Sequence, residues 1–302
     1  MKSLITSFAF VISASSVLAA PVWTDPAKAA AENPDFMIQG EYISEGRAAQ
    51  VVALGKGAFQ ISEYAKGLPG AGWDGSKISK SIGDAALVAK QLEGFKRIER
   101  KVPTLGTKAP EGAVVLFDGT NTDEWDKGKI EDGWLMAGPT TKKKFKDFKL
   151  HLEFRLPFKP EAPLSDQDRG NSGVYIFGRY ECQILDSFGL DYDLSTWGGK
   201  NKSDNKQWCG SFYKFKTPDV PMCLPPLVWQ SYDIDFTAPK FKDGKKVSNA
   251  RITVVQNGVK IHDDVALPKG TGMGGNLPET PEGSILLQGH GNPVQFRNIW
   301  IK

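Results

Sequence analysis

Between Phe148 and Leu156 the chain reads FKLHLEFRL, so that apolar and polar side chains alternate without interruption. Successive side chains of a β-strand point to opposite faces of its sheet, and the alternation therefore predicts a strand whose apolar face is buried. The opposite face is predicted to lie at the surface. Its residues are Lys149, His151, Glu153 and Arg155.

Strand patterns continue on both sides of this segment, from Ala113 to Lys302. Short apolar runs are separated by turn signals, and Asn257-Gly258 is a strong one because both positions of a tight hairpin turn need a positive φ. About ten short strands in roughly 190 residues are typical of a β-sandwich. The predicted strands are 114–117, 134–137, 148–156, 172–177, 180–185, 232–236, 251–256, 260–263, 284–290 and 294–301.

Composition and motifs exclude several classes of function. The 38 basic and 35 acidic residues nearly cancel, which argues against a nucleic-acid-binding protein. The chain lacks the P-loop, GxSxG and HExxH motifs, so P-loop nucleotide binding, α/β-hydrolase chemistry and zincin chemistry have no support. The acidic loop with Asp191, Asp193 and Asp204 is interpreted as solvated and not as a calcium site. We therefore expect neither a cofactor nor a bound metal.

The three cysteines are Cys182, Cys209 and Cys223, and their spacing matches no structural zinc site. Cys182 lies in a predicted strand and is expected to be a buried thiol. Cys209 and Cys223 flank a segment of 13 residues and could form a disulfide outside the cytosol.

The first 20 residues have the pattern of a secretory signal peptide, with Lys2 followed by an apolar run and then small residues. The run of about 15 residues is too short to span a membrane comfortably, and no later apolar run is longer. We expect export to the periplasm or the extracellular space, with no membrane span after signal cleavage. Residues 21–112 are predicted to form a small β-rich N-terminal extension and linker, with a weak helix or another strand near 84–93. The main domain covers 113–302.

The segment from Asn171 to Asp186 contains the most informative polar residues. Alternation places Arg179, Glu181 and Gln183 on one face of the strand. The opposite face, which should enter the core, carries Tyr180, Cys182 and Ile184. A row of Arg, Glu and Gln is too polar for a packed interior, so it predicts either a solvent-exposed face or a ligand-binding face.

The candidate for proton transfer is His290, which lies between two glycines and shares a predicted strand face with Gln288. A purely structural histidine is the alternative. The other histidines, His151 and His262, are interpreted as surface residues. Arg297 on the last strand would bind a carboxylate or a sugar hydroxyl, or it would form a structural salt bridge with an inward Glu or Asp.

These segments together resemble the bacterial 3-keto-disaccharide hydrolase domain family over about Ala113 to Lys302. The motifs that carry the resemblance are LFDG at 116–119 with Trp125, FKL at 148–150, NSGV at 171–174, YECQI at 180–184, LQGHG at 287–291 and FRNI at 296–299. The resemblance implies a concanavalin-like jelly-roll β-sandwich and cleavage of glycosides already oxidised to a ketone at C3.

A 3-keto group acidifies the proton at C2, so that a base can remove it, the C1 oxygen can leave and water can then add. The resemblance and this chemistry assign the base and acid roles to Glu181 or His290, and polarisation of the ketone to Arg179 or Arg297. Binding of sugar hydroxyls is expected from Asn171, Gln183 and Gln288, and stacking on a sugar ring from Trp208, Tyr213 or Trp229. The expected partner is an oxidised, 3-keto oligosaccharide or glycoside.

Three other classes of protein fit the same sequence features. A non-catalytic carbohydrate-binding module would use the same polar face without chemistry. An ordinary endo-glucanase would need paired carboxylates, whereas only Glu181 is present on this strand and Gln183 stands where a second carboxylate would be expected. A structural protein of the cell envelope would use the N-terminal region as an adaptor.

Overall fold

The computed structural model describes residues 20–164, 166–190 and 205–302. The predicted signal peptide, up to residue 19, and the acidic loop at 191–204 lie outside these residues. Three helices are present, α1 (Pro26–Glu32), α2 (Pro34–Ile38) and α3 (Ala85–Gln91). No helix in the described part of the chain is long and apolar enough to cross a membrane.

The first group of strands belongs to the N-terminal region. It comprises β1 (Gly40–Ser44), β2 (Arg47–Gly55), β3 (Ala58–Ala65), β4 (Ser79–Asp84) and β5 (Lys96–Ile98). They form one antiparallel sheet in the order β4-β3-β2-β1-β5. Asp84 caps α3 by accepting a hydrogen bond from the Leu87 N–H at 3.0 Å, so the 84–93 segment is a helix and not a further strand.

The remaining strands belong to the main domain. They are β6 (Val114–Phe117), β7 (Trp125–Asp126), β8 (Ile130–Glu131), β9 (Trp134–Met136), β10 (Thr140–Thr141), β11 (Phe148–Arg155), β12 (Ser172–Ile176), β13 (Tyr180–Ile184), β14 (Trp229–Thr237), β15 (Lys240–Lys242), β16 (Lys245–Ser248), β17 (Ala250–Gln256), β18 (Val259–Leu267), β19 (Ile285–Leu287) and β20 (Gln295–Ile301).

Two antiparallel sheets of the main domain share one hydrophobic core. The five-stranded sheet has the order β13-β12-β19-β10-β7, and the eight-stranded sheet has the order β18-β17-β14-β11-β20-β9-β8 with β6 beside β20. Leu150, Leu152 and Phe154 of β11 pack in the core with Val174 and Cys182 of the smaller sheet. The predicted all-β sandwich is confirmed, and the Asn257-Gly258 hairpin joins β17 to β18 with both residues at positive φ. The jelly-roll topology itself stays a prediction.

The N-terminal sheet packs directly on the sandwich. The side chains of Gln60 and Ser62 on β3 both donate to the Gly189 carbonyl, at 3.1 and 3.0 Å. Arg169 of the main domain is fully buried and donates to the Ala53 carbonyl at 3.1 Å and to Asp186 at 2.8 Å. The extension is therefore a support for the segments around 169 and 189.

The polar face of β11 is buried, contrary to the sequence prediction. Only Lys149 is exposed, whereas His151, Glu153 and Arg155 are buried. The linker that follows the N-terminal sheet runs across this face, and the Gly106 N–H donates to Glu153 Oε1 at 2.6 Å. The alternating pattern identified the strand correctly but could not show that a distant segment covers its polar side.

We call the polar residues under this linker the covered cluster. Glu153 Oε2 accepts from Arg297 Nε at 2.6 Å, Glu153 Oε1 accepts from Asn298 at 2.8 Å, and His151 Nδ1 lies 2.7 Å from Asp233. Burial would raise the pKa of Glu153, but hydrogen bonds from His151, Asn298, the Gly106 N–H and Arg297 outweigh burial and lower the pKa to about 2. Burial would likewise lower the pKa of His151, but Asp233 and Glu153 raise it to about 9. The members are His151, Glu153, Asp233, Arg297 and Asn298.

Two further expectations are corrected. His262 is fully buried and not a surface residue; its Nε2 lies 2.7 Å from the Gly210 carbonyl, and burial lowers its pKa to about 4. Cys209 and Cys223 form no disulfide, and both are buried free thiols, as is Cys182. The predicted burial of Cys182 is confirmed.

Candidate functional site

A small cavity lies against strands β12 and β13 of the five-stranded sheet. Glu181 and Gln183 on β13 point into it, and the pairing register sets Tyr175 directly opposite Glu181 and Gly173 opposite Gln183. Tyr180, Cys182 and Ile184 point into the core, as the alternation predicts. The cavity volume is about 150 Å³, and its lining residues are Gln167, Asn171, Tyr175, Glu181, Gln183, Tyr213, Gly272, Met273, Gln288 and His290.

Glu181 is the acidic group of the cavity. Its side chain accepts a hydrogen bond from the Tyr175 hydroxyl at 2.6 Å, and its backbone N–H donates to Thr271 Oγ1 at 2.8 Å. Only 2% of the residue is exposed, and no ion pair of Glu181 occurs within the described residues. Burial raises the pKa of this carboxyl to about 7, against the smaller opposing effect of the Tyr175 hydrogen bond. Near neutral pH Glu181 can therefore both accept and release a proton.

Two glycines make room for the Glu181 carboxylate. A Cβ atom at Gly173 would lie 2.7 Å from Glu181 Oε1, and one at Gly272 would overlap with Glu181 Oε2 and the Tyr175 hydroxyl. Gly272 also has a φ of +54°, a conformation that favours glycine. It begins the short 3₁₀ turn Gly272–Gly274, whose Met273 N–H donates to the Tyr175 hydroxyl oxygen at 3.1 Å.

Four carboxamide side chains in the cavity wall carry buried polar atoms without a hydrogen-bond partner in the described part of the chain. These atoms are Gln167 Nε2, Asn171 Oδ1, both polar atoms of Gln183, and Gln288 Oε1. Buried polar groups in folded proteins are normally hydrogen-bonded, because an unpaired one costs roughly 1–3 kcal/mol. The group includes both donors and acceptors, so it suits a ligand with several hydroxyl and carbonyl groups.

The glycine-rich segment after β19 supplies the remaining wall. The predicted strand 284–290 ends earlier, at Leu287, and Gln288 and His290 lie in the following loop. Gln288 is held on β12 because its N–H donates to the Gly173 carbonyl at 2.8 Å. His290 is exposed and lies at the mouth of the cavity. Tyr213, on another segment, accepts a hydrogen bond from Gln207 at 2.7 Å.

Of the predicted site residues, six line this cavity. They are Asn171, Glu181, Gln183, Tyr213, Gln288 and His290.

The two predicted arginines lie elsewhere. Arg179 is in the turn before β13, and its Nε donates to the Pro278 carbonyl at 2.6 Å. Arg297 is paired with Glu153 in the covered cluster, so the alternative reading of a structural salt bridge describes it correctly. We leave both arginines out of the candidate site.

The three aromatic residues predicted to stack on a sugar ring do not lie together. Trp208 is buried among Leu185 and Leu190, and Trp229 packs against the guanidinium groups of Arg155 and Arg297 at 4.8 and 4.2 Å. Of the three aromatics, only Tyr213 is in the cavity.

The sequence reasoning missed Tyr175, Gln167, Gly272 and Met273. The pairing of the strand at 172–177 with that at 180–185 could have identified Tyr175, because a hairpin through Gly178 sets it opposite Glu181. No local pattern identifies Met273, which reaches Tyr175 from a turn 98 residues further along the chain.

A buried carboxyl among carboxamides with unused hydrogen-bonding capacity suits a ligand with several hydroxyl groups. The comparison with protein families agrees: residues 112–302 match the model of the 3-keto-alpha-glucoside-1,2-lyase-like domain. The chain therefore belongs to this family, which is the family predicted from the sequence. No curated protein matches the chain.

Three solved structures with similar chains come from Parabacteroides distasonis ATCC 8503. One proposed glycosyl hydrolase is 33% identical, covers 65% of this chain and 85% of its own, and has a TM-score of 0.54. Two further proposed glycosyl hydrolases are 20% and 23% identical, with TM-scores of 0.45 and 0.42; they cover 64% and 63% of this chain and 94% and 98% of their own. Family and first neighbour together support a carbohydrate-active, glycoside-cleaving enzyme.

Proposed function

We propose that this protein cleaves 3-keto-glycosides by removing the proton at C2, eliminating the C1 substituent and adding water to the unsaturated sugar. The observation that carries the proposal is Glu181, a buried carboxyl with a pKa of about 7 in a cavity where five carboxamide atoms have no partner among the described residues. A ketone at C3 lowers the barrier to loss of the C2 proton, so one well-placed base suffices where ordinary glycosidases need two carboxylates.

Glu181 is the proposed base. Its carboxylate takes the C2 proton, and the negative charge moves to the ketone oxygen as an enolate. The donor amides Gln167 Nε2 and Gln183 Nε2, which have no partner among the described residues, would donate to such an oxygen. They take the role that the sequence reasoning gave to Arg179 or Arg297.

The other cavity residues would bind the sugar. Asn171 Oδ1 and Gln288 Oε1 would accept from hydroxyl groups, and Tyr213 would offer a ring face near the mouth. His290 at the mouth remains a candidate for a second proton transfer. We also propose export, on the basis of the signal-like first 20 residues.

The test is to incubate the purified protein with 3-keto-trehalose in D₂O and to follow the release of 3-keto-glucose. Elimination and hydration place solvent deuterium at C2 of the product, whereas direct hydrolysis retains the original C2 proton. A sample of 3-keto-glucose kept in D₂O without protein measures spontaneous exchange.

Two variants assign the base. We expect Glu181→Gln to lower the rate by about 10²- to 10⁴-fold, the range typical of a lost general base. Glu279→Gln is the matched control, because Glu279 is also bound by a tyrosine hydroxyl, from Tyr180, but lies outside the cavity. Saturable binding of the sugar without turnover would instead favour a carbohydrate-binding module.

A further inference from the structure

The proposed base, Glu181, has a hydroxyl group beside it in the same cavity, that of Tyr175. The Tyr175 hydroxyl donates to Glu181 Oε2 at 2.6 Å, and its oxygen accepts from the Met273 N–H at 3.1 Å. These two contacts fix the hydroxyl on both sides, so its proton is directed at the carboxylate. Tyr175 is 1% exposed and lines the cavity together with Glu181.

A second tyrosine–glutamate pair, Tyr180 and Glu279, shows how the Tyr175–Glu181 pair differs from an ordinary buried one. Tyr180 is also buried and also donates to a glutamate, Glu279, but Lys246 binds that glutamate as well, and neither Tyr180 nor Glu279 lines the cavity. The Tyr175–Glu181 pair has no such cation in the described part of the chain. Burial and the adjacent Glu181 carboxylate raise the pKa of Tyr175, so the phenol stays protonated and able to donate at neutral pH.

Resting on the function proposed above, we infer that Tyr175 is a further catalytic residue, the acid that delivers a proton to the departing glycosidic oxygen. The C2 proton and the C1 oxygen belong to adjacent carbons of one ring. Two groups 2.6 Å apart in one cavity can therefore serve both positions of a single sugar.

The proposed elimination is balanced in protons. Glu181 takes the C2 proton and becomes neutral, which weakens the hydrogen bond that its Oε2 accepts from Tyr175. The C1–O bond breaks, the double bond forms between C1 and C2, and the Tyr175 proton passes to the leaving oxygen as the alcohol departs. The neutral Glu181 then returns its proton to the Tyr175 oxygen, so both groups regain their starting state without any co-reactant.

The experiment compares two 3-keto-α-glucosides that differ only in the leaving group, methyl and 4-nitrophenyl. A methoxide needs a proton in order to leave, whereas a nitrophenolate does not. We expect Tyr175→Phe to lose at least about 100-fold in kcat/KM on the methyl glycoside and less than about tenfold on the nitrophenyl glycoside. Glu181→Gln should lose activity on both, and the matched control Tyr180→Phe on neither.

An equal loss by Tyr175→Phe on both substrates would overturn the inference and leave Tyr175 a structural residue, with the proposed function intact. A wild-type protein inert towards both substrates would instead overturn the proposed function, and this inference with it. If Tyr175→Phe fails to fold, a series of leaving groups on the wild type decides: a shallow dependence of kcat/KM on leaving-group acidity supports the acid, and a steep one overturns it.

Discussion

Two buried glutamates on strands of the same sandwich have opposite properties. Glu153, on the eight-stranded sheet, is bound by Arg297, Asn298 and a backbone N–H, and its pKa falls to about 2. Glu181, on the five-stranded sheet, is bound by one phenol, and its pKa rises to about 7. Both residues are at most 2% exposed, so burial alone does not distinguish them.

The difference lies in how far each region satisfies its own polar groups. In the covered cluster, protein donors fill both oxygens of Glu153, and the charge is retained as part of the structure. In the cavity, the carboxamides retain hydrogen-bonding capacity that no described residue uses. Five of the ten buried unsatisfied atoms in the described residues lie in this one cavity, so their concentration, and not any single atom, is the guide to a ligand site.

The largest effect on stability is expected from removing the charge of Glu153, which tests the difference between the two glutamates directly. Glu153→Gln should destabilise the protein by roughly 3 kcal/mol, because it leaves His151 and Arg297 without their shared carboxylate. Urea unfolding at pH 7 measures this change. Glu181→Gln is the comparison, and we expect it to be neutral or stabilising at pH 8, where the wild-type carboxylate is ionised and buried. Equal destabilisation by both variants would contradict the distinction.

The pH dependence of stability should show one window for each region. The pKa of Glu181 is raised above its unfolded value of about 4.5, so its contribution is greatest below that pH and is lost as the pH rises through 7. The pKa of His151 is raised as well, and its contribution is complete below about 6.5 and lost as the pH rises through 9.

Each loss should be on the order of 1–3 kcal/mol in the free energy of unfolding. Urea titrations at intervals from pH 4 to 10 measure it. Glu181→Gln should flatten only the lower window and His151→Gln only the upper one. A profile in which either variant flattens both windows would show that the two regions are coupled.

The smallest expected effects come from substituting two buried glutamines, Gln183 in the cavity and Gln295 on the eight-stranded sheet. Gln183→Met removes polar atoms that have no described partner, so stability should change by less than about 1 kcal/mol while sugar affinity falls about fivefold. Gln295→Met removes the acceptor of a hydrogen bond from Arg155 at 2.9 Å, so it should cost about 1–2 kcal/mol with no effect on affinity. Thermal unfolding, and calorimetric titration with 3-keto-trehalose in the inactive Glu181→Gln background, separate the two results; the reverse pattern would be contrary to expectation.

Much of the candidate site could be predicted from short-range pattern. The alternation from Tyr180 to Ile184 placed Glu181 and Gln183 together, and the LQGHG segment supplied Gln288 and His290. The pattern failed for Arg179, which lies in a turn where the two-residue period no longer applies. It also failed for Arg297, because its partner Glu153 lies 144 residues away in the sequence.

By itself the sequence determined where the longer strands of the sandwich form and which way most of their side chains point, since both depend on neighbours two residues apart. Only the tertiary structure decided which polar face is covered and which is open. The linker over Glu153 and the glycine turn beside Glu181 both come from distant parts of the chain. Hydrogen bonding and loss of water set whether a buried carboxyl is a fixed charge or a base, and both are properties of the assembled neighbourhood.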